Sequence, residues 1–263
     1  MPDYETLRLD RPAAHVLRVT LDRPEVSNAL NTQMGLDLLA VFDGLNADPS
    51  AHRCVVVTGA GERAFCGGGD LKQRLGMDDA AWQAQHIVFE RMVRAMHLCP
   101  VPMIAGVNGA AYGGGCEIAL CCDFAYAAEH ARFAMSEVTL GIMPGAGGTQ
   151  NLARALGARR AKEMLLTGSP LTAQQALEWG LVNRVCPAGE LMGAVMATAD
   201  RIAGNAPLST RQIKQAVSVG SQMDLSSALM FEIEAYNRLV PTEDRREGVA
   251  AFNEKRKPVF TGQ

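Results

Sequence analysis

Two segments of the chain share a pattern that few folds accommodate. Arg53-Cys-Val-Val-Val-Thr58 leads into Ala64-Phe-Cys-Gly-Gly-Gly-Asp70, and Met103-Ile-Ala-Gly-Val107 leads into Ala111-Tyr-Gly-Gly-Gly-Cys-Glu117. Each begins as a buried strand and ends in three glycines followed by an acid. Glycine loses more conformational freedom on ordering than any other residue, so a plain turn needs only one or two. A triplet bares backbone N–H groups that side chains would shield. At the start of a helix those N–H groups lack intrahelical partners, and the helix dipole favours negative charge there. The apolar segment after the second triplet, Ile118-Ala-Leu-Cys121, suits such a helix. Two loops of this kind can aim two donors at one oxygen, the arrangement of an oxyanion hole.

The rest of the chain fills out an α/β pattern. Thr6–Asp10 and Val16–Leu21 alternate and form a hairpin. Asn31 caps a helix reaching about Asn46, with Met34, Leu38, Val41, Phe42 and Leu45 on one face. Asp79–Leu98 is helical, Phe124–Tyr126 and Arg132–Ala134 are short strands, and Gly141–Gly148 is a loop. After Thr149 the pattern is almost wholly helical, with breaks at Gly168, Gly180, Pro187, Pro207 and Pro241. No fixed-period repeat, low-complexity segment or linker interrupts it.

Composition narrows the function. The 263 residues can bury a sizeable core, and a net charge of −3 offers no general attraction to nucleic acid or an anionic membrane. The apolar run Val101–Cys122 contains Asn108, Glu117 and five glycines, which reads as core rather than a membrane span. Seven cysteines without a C-x-x-C, and an N-terminus unlike a signal peptide, read as reduced core thiols of a cytoplasmic protein. Gly59-Ala-Gly-Glu-Arg-Ala64 fits the dinucleotide fingerprint, but glycines follow where that motif opens a helix. There is no P-loop, H-E-x-x-H or G-x-S-x-G motif, and no histidine adjoins a glycine loop in sequence. Cys116, Cys121 and Cys122 read as helix packing, so no metal site is expected.

Five segments in order, AFCGGGDLK, NGAAYGGGCEIALCCD, MSEVTLGIMPGAGGTQ, LTGSPLTAQQALEWGLVNRV and TEDRREGVAAFNEKRKPVF, make the chain resemble the enoyl-CoA hydratase/isomerase (crotonase) family from about Leu21 to Phe260. The resemblance implies an α/β ClpP/crotonase-like spiral of ββα units over residues 1–200. It also implies a C-terminal helical region of the same domain, 201–263, that drives assembly into trimers, which usually pair into hexamers. It places the oxyanion donors at Gly69 and Gly114, around the thioester oxygen of an acyl-CoA. It places two catalytic carboxyls at Glu117 and Glu137, one to deprotonate water at Cβ while the other delivers a proton at Cα. The alternative for either glutamate is a carboxylate serving only a helix dipole.

Both glutamates together resemble a hydratase; the alternatives are an isomerase or a specialised hydroxyacyl-CoA dehydratase on the same site. The resemblance also puts coenzyme A, as part of the substrate, against the Asp22–Leu30 loop around Val26 and along Gly67, Gly69, Asp70 and Leu71. Phe252 and Lys255 would come from a neighbouring subunit. The basic run Lys255-Arg-Lys257 is then either a phosphate site in trans or a solvated helix end. Glu25 stands where relatives often carry lysine, and Gln73-Arg74-Leu75-Gly76-Met77 departs from the family pattern beside the acyl pocket. No metal or redox cofactor is expected. Rivals from other classes are a dinucleotide oxidoreductase resting on the GAGERA motif and a nucleic-acid-binding family member, which the acidic net charge disfavours.

Overall fold

In the computed structural model, which describes residues 3–263, ten strands form two sheets. β1 (Leu7–Ala13), β2 (Val16–Leu21), β3 (Cys54–Gly59), β5 (Met103–Val107), β7 (Phe124–Ala128) and β10 (Arg184–Cys186) make the larger sheet in that order. β1 and β2 pair antiparallel and every other neighbour is parallel. β4 (Ala64–Cys66), β6 (Ala110–Tyr112), β8 (Arg132–Ala134) and β9 (Leu171–Thr172) make the smaller sheet. Chain order alternates between them: β3 then β4, β5 then β6, β7 then β8. A helical segment follows each pair, so the path is the spiral of ββα turns that the resemblance implied.

The helices are α1 (Thr32–Ala47), α2 (Leu71–Arg74), α3 (Asp79–Leu98), α4 (Gly114–Cys121), α5 (Gly148–Leu156), α6 (Ala158–Thr167), α7 (Ala173–Trp179), α8 (Leu191–Ala203), α9 (Pro207–Gly220), α10 (Leu225–Asn237) and α11 (Glu243–Glu254). Asn31 caps α1 as expected, accepting from the Met34 N–H at 2.8 Å. The unbroken apolar runs of β3 and β5 follow from burial on both faces of a parallel sheet. Val55 and Val57 face the main core with Phe42, Met92 and Met96, while Cys54 and Val56 face α8 through Val195 and Ala199. Each such large side chain contributes about 2–3 kcal/mol by leaving water. α8 runs across residue 200 and packs on the sheet, so the helices that leave the core begin at α9.

The tail is tied down by polar contacts. Lys214 on α9 pairs with Asp123 at 3.0 Å and donates to the Val101 carbonyl at 2.9 Å. Asp244 on α11 accepts from the Thr261 and Gly262 amides at 2.7 and 2.9 Å, folding the last residues back. All seven cysteines are free and buried, and burial pushes the Cys54 and Cys121 thiols up to about 12. No helix among the described residues is long and apolar enough to cross a membrane. The stretch Val101–Cys122 folds instead as β5, β6 and α4. Between β3 and β4, Gly59–Arg63 opens no helix. The Asn108 side chain binds its backbone, accepting from the Gly59 N–H at 3.1 Å and donating to the Gly59 carbonyl at 2.9 Å. The structural context of a dinucleotide fingerprint is therefore missing.

Candidate active site

The two glycine triplets leave adjacent strands. β4 and β6 are parallel neighbours, with Ala64 opposite Ala110 and Cys66 opposite Ala111, so both loops emerge on the same edge of the smaller sheet. The first loop is pinned by Leu30, whose N–H donates to the Gly68 carbonyl and whose carbonyl accepts from the Asp70 N–H. The second turns at Gly113, φ +48°, which donates to the Ala134 carbonyl at 2.8 Å before α4 begins. The Gly69 and Gly114 N–H groups have no acceptor among the described residues. They are close together: a Cβ built on Gly114 would lie 3.9 Å from the Gly69 nitrogen.

Close packing also demands glycine at 115, where a Cβ would lie 2.1 Å from the Cys66 carbonyl oxygen. Gly115→Ala must push α4 off β4. We expect it to lower stability by about 3 kcal/mol, the upper end of typical overpacking costs, read as a fall in the denaturant midpoint. An unchanged midpoint would show that the two loops are not held in register by this contact.

Both glutamates reach the same cavity. Glu117, in the first turn of α4, is buried, and its Oε1 accepts from the Ala146 and Gly148 N–H groups at 2.8 Å each. Gly148 opens α5, so that helix N-terminus faces the carboxyl. Burial raises the Glu117 pKa to about 7; the two N–H donors and Arg74 pull it down, and Glu137 pushes it up. Glu137 follows β8 in a short 3-10 helix, Glu137–Leu140. Burial raises its pKa as well, against the pull of its own backbone N–H and of Arg74. Its Oε1 lies 2.8 Å from where a Gly113 Cβ would be, and its buried Oε2 has no hydrogen-bond partner among the described residues.

The cavity encloses about 160 Å³ and is lined by Gly67, Gly69, Leu71, Gly114, Glu117 and Glu137, all singled out from the sequence. Four other candidates do not line it. Val26 sits in a 3-10 turn of the Asp22–Leu30 loop. Asp70 is occupied within the protein. It caps α2 through the Lys72 and Gln73 amides and pairs with Arg23 at 3.0 Å. Burial opposes ionisation of Asp70, but these contacts outweigh it and lower its pKa. Its role here is to hold the first loop against the Asp22–Leu30 loop. Phe252 and Lys255 lie at the exposed end of α11. Arg256 is already paired with Glu247 and Glu254 at 2.6 Å each, which leaves only the two lysines of that basic run without such pairs.

The wall also holds residues that periodicity alone assigned to no role. Arg74 comes from α2, and Trp82, His86 and Phe89 come from successive turns of α3. His86 packs on Gly145, close enough that a Cβ there would meet its ring at 2.3 Å. Folding thus brings a histidine to a glycine loop that it does not adjoin in sequence. The signal was available in the i, i+3, i+4 and i+7 spacing of Trp82, Gln85, His86 and Phe89, which puts them on one helix face.

These features agree with the kinship of the chain. The model of the family described as enoyl-CoA hydratase/isomerase matches residues 11–263. The short-chain-enoyl-CoA hydratase of Clostridium acetobutylicum is 41% identical over 239 residues, 91% of this chain and 91% of that protein. The 2,3-dehydroadipyl-CoA hydratase of Escherichia coli is 40% identical over 248 residues, 94% of this chain and 96% of that protein. A crystal structure of an enoyl-CoA hydratase from Bacillus anthracis matches with a TM-score of 0.96 at 40% identity, covering 98% of this chain and 100% of that one.

Proposed function

Because the chain belongs to the enoyl-CoA hydratase/isomerase family, we propose that it adds water in a syn sense across the double bond of a trans-2-enoyl-CoA, giving the 3-hydroxyacyl-CoA. The observation that carries this reading is the meeting of two unpartnered amides and two buried glutamates in one cavity. The Gly69 and Gly114 N–H groups would hold the thioester oxygen as it gains charge in the enolate. A single donor of this kind is typically worth about 2.7–4 kcal/mol in the transition state.

The two carboxyls divide the proton work. Two backbone donors and a helix N-terminus oppose the effect of burial on Glu117 and hold its pKa at about 7, so that it is ionised above neutral pH and serves there as the base that takes a proton from water. Glu137 has a raised pKa and a free Oε2, which suits delivery of a proton at Cα. The thioester supplies the acidity at Cα, so no metal or redox cofactor enters this reading.

Further support concerns the setting. Ile213, Val217, Leu229, Met230, Ile233 and Tyr236 are exposed on α9 and α10, an apolar surface suited to self-association as a trimer or a hexamer. In such an assembly Phe252 and Lys255 of a neighbouring subunit would contact the coenzyme A, with Gly67, Leu71 and the backbone around Val26 contributing from this one. Seven reduced thiols fit a cytoplasmic protein. The acyl group is not decided by kinship, since relatives at 41% and 40% identity carry names for unlike acyl chains.

Incubating the protein with trans-2-butenoyl-CoA tests the reaction. Loss of the conjugated enoyl absorbance together with a product heavier by one water is the expected result. A product of unchanged mass with a migrated double bond would assign isomerisation instead.

A further inference from the structure

Arg74 places a guanidinium among apolar walls, beside Trp82 at 4.4 Å and Phe89 at 5.7 Å from the ring centroids. Its Nε donates to Gln85 Oε1 at 2.9 Å. Gln85 is buried, and its own amide donates to Thr32 Oγ1 and Gln73 Oε1 at 2.9 Å each, which fixes its oxygen toward Arg74. The stem is therefore held, but the two Nη groups have no acceptor and no ion-pair partner among the described residues. They lie beside the oxyanion loop, 3.2 and 3.7 Å from the position of a Gly69 Cβ.

A guanidinium in this state lacks what half-buried cations usually have, a carboxylate partner. Glu117 and Glu137 attract it at longer range, but neither forms an ion pair with it, and Glu117 Oε1 is turned to two backbone amides. The thioester oxygen is neutral before reaction and is met by Gly69 and Gly114. A planar fork with two free ends is shaped for a second planar anion, received through two parallel hydrogen bonds.

We infer that Arg74 selects acyl thioesters whose short acyl chain ends in a second carboxylate, that is, monothioesters of unsaturated dicarboxylic acids. The chain must be short because the guanidinium lies next to Gly69 and the cavity is only about 160 Å³. This inference rests on reading the cavity as the acyl-thioester site, though not on which reaction occurs there.

Binding of two non-reacting probes separates the inference from the reaction. Glutaryl-CoA carries the distal carboxylate, and pentanoyl-CoA has the same number of acyl carbons without it. Calorimetric titration of the wild type should show tighter binding of glutaryl-CoA. In Arg74→Leu the preference should fall by about 30- to 1,000-fold, the usual result of truncating one member of a desolvated charge pair. Arg74→Lys, which keeps the charge but not the fork, should retain an intermediate preference. Equal preference in the wild type and Arg74→Leu, or a wild-type preference for pentanoyl-CoA, would overturn the assignment. If Arg74→Leu does not fold, the wild-type ratio and Arg74→Lys still decide it. A carboxylate preference without hydration of any enoyl-CoA would refute the proposed reaction and leave this subsite standing; hydration without the preference would do the reverse.

Discussion

Glu117→Gln is expected to lower kcat/KM for an enoyl-CoA by about 10²- to 10⁴-fold, the usual contribution of a positioned general base. The amide keeps an oxygen to accept from Ala146 and Gly148, so the loop before α5 stays in place while the base is lost. The wild type should also lose activity as pH falls below about 7, because Glu117 acts in its ionised form and its pKa is raised to about 7. The residual activity of the variant should lack that limb. Near-normal turnover by Glu117→Gln would sink the assignment of Glu117 as the base.

The same substitution should stabilise the protein, and the sign follows from proton binding. Between the ordinary value of 4.5 and about 7, the folded chain holds a proton on Glu117 that the unfolded chain has released. Stability from this group is therefore greatest below pH 4.5, falls as pH rises through that window, and is level above it. The shift from 4.5 to about 7 corresponds to about 3 kcal/mol at 1.36 kcal/mol per unit. Glutamine cannot ionise and escapes this loss. Its denaturant midpoint relative to wild type should rise by the equivalent of about 1–3 kcal/mol on going from pH 4 to pH 8. A constant difference would mean that Glu117 is no harder to ionise in the folded state than in the unfolded one.

Local patterns made much of this site readable. β5 and α3 have the bounds that the apolar periodicity indicates, Met103–Val107 and Asp79–Leu98, and Asn31 caps α1 where a cap residue precedes the amphipathic run. The glycine triplets stand out because local turn geometry alone does not require three glycines. What escaped notice is non-local. β4 and β6 are three residues each, too short for alternation to show, yet their parallel pairing is what sets the two triplets side by side. Arg74 looked like one member of a divergent segment. Only folding shows Gln85, eleven residues on, gripping its Nε, and its guanidinium lying over the Trp82 ring. Asp70 is a coenzyme A contact by resemblance alone, and an acid after a glycine loop reads equally well as a helix cap. The structure places two backbone amides and Arg23 on it.

Gly114→Pro is expected to reduce kcat/KM by about 10²- to 10³-fold while leaving the melting temperature near that of wild type. Gly114 is the first residue of α4, where an N–H has no intrahelical acceptor and proline fits the helical backbone. The residue before it, Gly113, has no Cβ to meet the proline ring. The substitution therefore deletes one donor with little other damage to the helix. Gly114→Ala supplies the control. It keeps the N–H and adds a Cβ 3.3 Å from Leu30 Cδ2, a side-chain end that can yield. If the amide is the catalytic feature, rates should rank wild type, then alanine, then proline, with the proline loss expressed in kcat because the donor bonds most strongly to the developing oxyanion. If the glycine serves only to make room, alanine and proline should be about equally impaired, mainly in KM, and the oxyanion role of Gly114 would have to be abandoned.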